Sequence, residues 1–449
     1  MSGIAGVAAR DRAADVIEML EALSHRGRQG IQVFEAGDAT LGAVAAAGKG
    51  PAWDAALGLV QDECGPGRFA CALSGPGRLE LRRDPLGAAP LYLGRTRDGA
   101  LAFASEVRAL LRVARDIREL PPGSCWADGR IHPGRPLALV PGRQDHPRQL
   151  AWELRTCLEA AVVRALARGS AGAWLSGGLD SSTLAALAQR NGARLHTFTG
   201  GLDGASDLRF AREAADYLGT RHHTVTLTAA GLKAVLPAVV ASLESFDALL
   251  VRSSVVNHLV AEAAADYVDA VFSGEGADEL FAGHAYLREL PIDQLPAELL
   301  ELAGRLHNTD LQRVDRSAAC FGLAVHTCFL DPEVVALALA VPAEYKIRAG
   351  VEKWILREAM EGLLPAGVLG RPKARIWEGA GVGSLLAELA EDQVSDDDFR
   401  RERRLANGRL LDSKEELLNY RHFRERFGDL RDLDWMGRTR DRPRAEAAG

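Results

Sequence analysis

At 449 residues the chain is long enough for two or three domains. A net charge of −7, from 54 Lys and Arg against 61 Asp and Glu, gives no electrostatic case for a nucleic-acid partner. No apolar run approaches a membrane span. The six cysteines show no C-x-x-C spacing, and they read most simply as free thiols of a reducing cytoplasm. The N-terminus lacks the charged and apolar regions of a signal peptide. Residues 1 to about 140 carry short strand-like runs separated by Gly and Pro turns, at 79–83, 91–94 and 101–104. Pro133 to Arg148 holds four prolines and reads as a linker. The apolar spacing then predicts a helix over 150–167, a buried strand over 171–175 and an Ala- and Leu-rich helix over 182–189. Strands are expected at 195–200, 223–227 and 269–273, with helices over 207–218, 229–243 and 253–268. This alternation implies an α/β unit with a parallel sheet, whose ligands belong at the carboxyl ends of its strands. Beyond Glu289 a largely helical segment should cap that site, and the polar tail after Met436 reads as disordered.

Two glycine-bracketed signatures follow predicted strands. The first is Leu175-Ser176-Gly177-Gly178-Leu179-Asp180-Ser181-Ser182. Its glycines allow a tight turn whose N–H groups approach an anion, and the next helix adds its positive dipole end. The lysine and the spacing of a Walker loop are absent. Ser-Gly-Gly-x-Asp-Ser instead resembles the pyrophosphate loop of ATP pyrophosphatases, which would make Asp180 a Mg²⁺ ligand beside the phosphates. The plainer alternative is a strand–helix turn with a capping Asp. The second signature, Phe272-Ser273-Gly274-Glu275-Gly276-Ala277-Asp278-Glu279, crowds three carboxylates that repel one another unless a cation offsets them. Here the alternative is a solvated acidic turn.

With these signatures the chain resembles the glutamine-dependent asparagine synthetases over nearly its whole length. Further motifs carry the resemblance: Arg83-Asp84-Pro85-Leu86-Gly87, Phe103-Ala104-Ser105-Glu106, Leu120-Pro121-Pro122-Gly123, Phe329-Leu330-Asp331, Lys353-Trp354-Ile355-Leu356-Arg357 and Arg371-Pro372-Lys373. Ser2-Gly3-Ile4-Ala5-Gly6 and Ser24-His25-Arg26-Gly27 match the amino-terminal domain. The resemblance implies an α+β Ntn-hydrolase-like sandwich over 1–140. It implies an ATP pyrophosphatase domain of the adenine nucleotide α-hydrolase type over 150–436, followed by a polar tail over 437–449. ATP and Mg²⁺ are the implied cofactors. Leu175, Ser176, Gly177, Gly178, Asp180, Ser181, Ser182, Gly274 and Arg252 would hold ATP or pyrophosphate, and Asp180 and Asp278 the metal. Lys373 would stabilise the charge of the adenylation transition state, and Glu275 would take the proton of the attacking amine. Asp207, Glu279, Asp310 and Arg313 would hold the acid substrate. The partners implied are a small acid and an amine such as ammonia, with no nucleic acid and no membrane. A homodimer would suit the family, and a separate subunit could supply the ammonia.

The departures are as informative. The family's amino-terminal nucleophile is Cys, and here the residue is Ser2. The Arg expected to hold the glutamine carboxylate is missing from Leu41-Gly42-Ala43-Val44-Ala45-Ala46-Ala47. The oxyanion-hole and amino-binding segments are absent between Gly50 and Arg68. The first domain therefore reads as a scaffold without glutaminase activity. Ala324 and His326 replace a family Glu and Arg, which reads either as a neutral loss of a salt-bridging pair or as a reshaped pocket, and Leu249-Leu250 replace small hydroxyl residues, which makes the site more apolar and puts aspartate in doubt as the acid. The leading expectation is an AMP-forming amide ligase in specialised metabolism. β-Lactam synthetase-like and lasso-peptide cyclase-like readings stay open, and so does a non-catalytic scaffold. Glu275 speaks against the first of these alternatives and Asp310 with Arg313 against the second.

Overall fold

The computed structural model describes residues 2–27, 30–45, 52–134, 137–169, 171–430 and 432–440, without the side chains of residues 64 and 171. Ala46, Ala47, Gly50 and the 441–449 part of the tail, all used in the readings above, lie outside the described residues.

The amino-terminal third forms two stacked antiparallel sheets of six strands. In the first, Gly3–Val7 lies between Leu101–Ala104 and Ala39–Val44. In the second, Arg68–Gly75 lies between Arg78–Arg83 and Leu59–Gly65. Burial along Arg68–Gly75 alternates, as it must where one strand face packs inward. Ala70, Ala72, Val60 and Leu81 of this sheet share one core with Ile4, Leu41 and Phe103 of the other. The outer face of the first sheet is covered by the helix Ala13–Ala22, which buries Val16, Met19 and Leu20 at helical spacing.

The rest of the chain is built on a five-stranded sheet in which every pairing is parallel. The strand order is Arg221–Thr226, His196–Gly201, Ala171–Trp174, Ala270–Phe272, Ala324–His326. The chain starts in the middle, winds one way, then crosses to the other side. The order reverses between Ala171–Trp174 and Ala270–Phe272, so the loops leaving these two strands open a crevice. Both signatures occupy those loops.

Three elements differ from the sequence expectation. The helix after the first signature starts at Leu179, because extended Gly178 takes the N-cap position and Asp180 falls in the first turn. The helix expected over 253–268 is Ala248–Ala264, started by Asp247, whose side chain accepts from Leu250 N–H at 2.8 Å. The fifth strand, Ala324–His326, lies in the segment read as helical and is three residues long, too short for any periodicity to show. The disorder expected after Met436 does not hold for 437–440. Thr439 N–H donates to Asp247 Oδ2 at 3.2 Å, and Arg440 pairs with Glu301 at 2.6 Å. Among the described residues no single helix is long and apolar enough to cross a membrane.

Buried charges join the sandwich to the parallel-sheet part. The fully buried Arg26 meets both carboxylate oxygens of Asp315, at 2.8 and 2.9 Å, and also Glu106 and Asp62. Arg316 pairs with Glu244, whose carboxylate caps the helix Val107–Leu110 by accepting from Val107 and Arg108 N–H.

Candidate active site

The strand Ala171–Trp174 delivers Leu175 and the loop Ser176-Gly177-Gly178 to the crevice floor. Gly177 has φ +71°, and a Cβ there would stand 2.2 Å from the Phe210 backbone carbon, so only glycine fits between loop and helix. Ser176 Oγ accepts from Gly178 N–H at 3.2 Å. Ser181 Oγ stands 3.3 Å from Ser176 N, which closes the turn. The second loop lies directly on the first: a Cβ at Gly274 would stand 2.8 Å from Asp180 Cβ. Two strands adjacent in the sheet but distant in sequence thus bring Asp180 and Asp278 together.

Both carboxylates converge on one ammonium. Lys353 Nζ lies 2.6 Å from Asp180 Oδ2 and 2.7 Å from Asp278 Oδ1. Lys373 Nζ adds a second contact, 2.5 Å from Asp278 Oδ2. Burial alone would raise the Asp278 carboxyl, but Lys353 and Lys373 outweigh it and hold the group well below the usual carboxylate range. Lys373 is raised in turn by Asp278 and Asp180, against the effect of its burial. Lys353 opens the motif Lys353-Trp354-Ile355-Leu356-Arg357. Its position between the two acids is a feature the sequence did not reveal, since its partners lie far away in the chain.

Glu275 faces the other side of the crevice. Its Oε1 is 2.9 Å from Arg313 Nη2. Burial pushes its carboxyl up to about 7, with Arg313 pulling the other way and Asp310 and Glu279 adding to the rise. Arg313 is fixed from three sides, by Glu275, by Asp310 at 2.9 Å and by Asn257. Glu279 pairs with His284 Nε2 at 3.0 Å. The His284 imidazole is raised by that contact although burial opposes it.

The remaining expected residues divide. Asp207 lines the crevice and pairs with Arg371, which also donates to Ser176 C=O at 2.6 Å and lies 4.2 Å over the Phe210 ring. Arg371 is thus a second residue whose part in holding the first loop was hidden in a quoted motif. Arg252, expected on ATP, is not among the crevice-lining residues: it pairs with Glu415 at 2.5 Å and stacks 5.0 Å from the Trp377 ring, which does line it. Gly177 and Ser182 lie behind the surface, and Ser182 is fully buried. Leu249 and Leu250 line the crevice, whereas Ala324 and His326 are buried in the edge strand away from it. The enclosed space measures about 190 Å³, and Thr439 and Arg440 close one side.

The sequence profile described as asparagine synthase matches residues 153–304 and 293–446, which hold every one of these groups. The chain belongs to the asparagine synthase family. A glutamine amidotransferase domain profile matches residues 61–112. Among curated members of the family, asparagine synthetase B [glutamine-hydrolyzing] of Escherichia coli (strain K12) is 35% identical over 358 residues, 74% of this chain and 64% of that protein. Asparagine synthetase [glutamine-hydrolyzing] 2 of Arabidopsis thaliana is 33% identical over 343 residues, 70% of this chain and 59% of that protein. A probable asparagine synthetase [glutamine-hydrolyzing] of Dictyostelium discoideum is 32% identical over 355 residues, 71% of this chain and 64% of that protein. The family match therefore spans only 59–64% of the length of these relatives.

Proposed function

We propose that the chain is an ATP-dependent ligase that activates a carboxylate as its acyl adenylate and passes the acyl group to ammonia or another amine, without hydrolysing glutamine. The observation that carries this reading is the meeting of Asp180, Asp278, Lys353 and Lys373 beside a glycine loop at a helix N-terminus, with Glu275 and Arg313 opposite. In the first step a carboxylate oxygen of the acid attacks the ATP α-phosphorus, and the bond to the β-phosphate oxygen breaks to release pyrophosphate. Loop N–H groups and Lys373 face the charge that builds on the phosphates. In the second step the amine attacks the acyl carbon, Glu275 takes its proton, and the bond from the acyl carbon to the phosphate oxygen breaks as AMP leaves.

The carboxylate pair fits a divalent cation, since both acids already converge on one positive charge. Among the described residues no group of three or more His, Cys, Asp or Glu encloses a metal, so Mg²⁺ would take its remaining ligands from phosphate oxygens and water, as it prefers. Bound Mg²⁺ offsets phosphate charge. Asp310 and Arg313 suit the charged end of an amino acid, and Leu249 and Leu250 favour an acid more apolar than aspartate. The loss of glutamine chemistry is supported by Leu41-Gly42-Ala43-Val44-Ala45, where the Arg expected to hold the glutamine carboxylate is missing. Five of the six cysteines, those whose side chains are described, are free thiols, which suits a reducing cytoplasm.

The test is AMP formation from ATP and Mg²⁺ with a panel of amino-acid carboxylates, given ammonium in one series and glutamine in another. AMP with ammonium and none above background with glutamine is the expected result. Glutamate release from glutamine would overturn the inactive first domain. No AMP with any acid would overturn the ligase.

A further inference from the structure

A second cavity, of about 360 Å³, shares Glu279 with the crevice and falls in the size range of small-molecule sites. Its walls are mostly apolar: Leu280, Pro296, Leu299, Leu339 and Val341 line it, and Lys346 lines it too. Lys346 ends the short helix Ala343–Lys346 and is only 4% exposed. Among the described residues it makes no hydrogen bond and no ion pair. The other charged groups on the cavity are accounted for. Arg143 pairs with Asp145 at 2.7 Å and with Glu153 at 2.6 Å. Glu279 pairs with His284, and Glu344 is exposed. Among the described residues Lys346 is therefore a cation without a protein partner, on a mostly apolar cavity whose other polar lining is Arg143, Gln144, Glu279 and Glu344. Burial without a partner pushes it down to about 8.

An unpaired buried ammonium is costly, and methionine or leucine would fill the same place without that cost. A ligand that brings a negative charge into the chamber removes the cost. We propose that this cavity binds a medium-chain carboxylate, with its head group on Lys346 and its apolar chain along Leu280, Leu299 and Val341. The ligand would sit in this second cavity and not in the crevice. Leu280 follows Asp278 by two residues, and Lys346 precedes Lys353 by seven. Glu279 borders both spaces. The site is independent of the ligase reading and stands or falls by its own test.

Octanoate, octanol and octylammonium are the probes, titrated calorimetrically into the full chain at about pH 7. Octanoate should bind at one per chain, octanol about tenfold or more weakly, and octylammonium not measurably. Lys346→Arg should keep the preference for octanoate over octanol. Lys346→Met should lose it while melting at the same or a higher temperature, because no partner is left unpaired. The carboxylate raises the lysine on binding. Above about pH 8 octanoate should therefore bind more weakly, with proton uptake seen as buffer-dependent heat. Octanol binding as tightly as octanoate, an undiminished preference in Lys346→Met, or no octanoate heat at millimolar concentration would each overturn the site.

Discussion

Glu275 is held between burial, which favours its neutral form, and Arg313, which favours its anion. The balance leaves its carboxyl at about 7, so the basic form grows as pH rises through that value. Amide formation should rise with pH through about 7 and fall below it, measured as initial rate against pH at saturating ATP. Glu275→Gln should lower the amide-forming rate by roughly 10²–10⁴. Pyrophosphate exchange, which reads adenylation alone, should fall far less. Lys353 raises a different question, because its loss leaves two acids facing each other. Lys353→Met should cost about 3–5 kcal/mol of unfolding free energy. Added Mg²⁺ should restore part of that loss, read from denaturant curves with and without the cation. At this scale the two loops that carry Asp180, Glu275 and Asp278 were legible as turns after buried strands, because glycines and apolar runs mark them in the sequence. The places of Lys353 and Arg371 were not, since their contacts are with acids and carbonyls distant in the chain, as with Lys353 and Asp180 at a separation of 173.

The helix Asp310–Ala319 serves two regions at once. Asp310 and Arg313 face the crevice, whereas Asp315 and Arg316 enter the buried charges of the sandwich. Its placement against Glu275 thus depends on contacts with the opposite part of the molecule. Asp315→Asn and Arg26→Met should each destabilise the protein by about 3–5 kcal/mol. The double variant should cost less than their sum, because both changes break one paired set, and a double-mutant cycle in denaturant checks this. Long elements with clear periodicity were readable, as the helix Ala229–Leu243 shows by its full agreement with the expected bounds. The strand Ala324–His326 was not, because three residues beside a turn carry no pattern that distinguishes strand from helix end. The start at Leu179 was also missed: Gly178 sets it by its extended conformation, which composition does not reveal.

As a whole the molecule is one body of two architectures. The change from short strands with Gly and Pro turns to alternating strands and helices was visible along the chain. The charges that bind the two parts were not, since Arg26 and Asp315 are 289 residues apart. A version beginning at residue 137 would leave Asp315, Arg316 and Glu244 without Arg26, Glu106 and Arg108. It should aggregate or melt without a cooperative transition, as sedimentation and calorimetric scans would show, while the full chain melts cooperatively.

The two lysines on Asp180 and Asp278 have a consequence for how the protein lives with its surroundings. Where metal-dependent folds need an ion to keep acids from driving the structure apart, Asp180 and Asp278 are offset by lysines of the same chain. Its shape is insured against metal starvation. A chelator should leave the melting temperature unchanged, and on the proposed function any cation arriving with nucleotide would displace a tenant rather than fill a void.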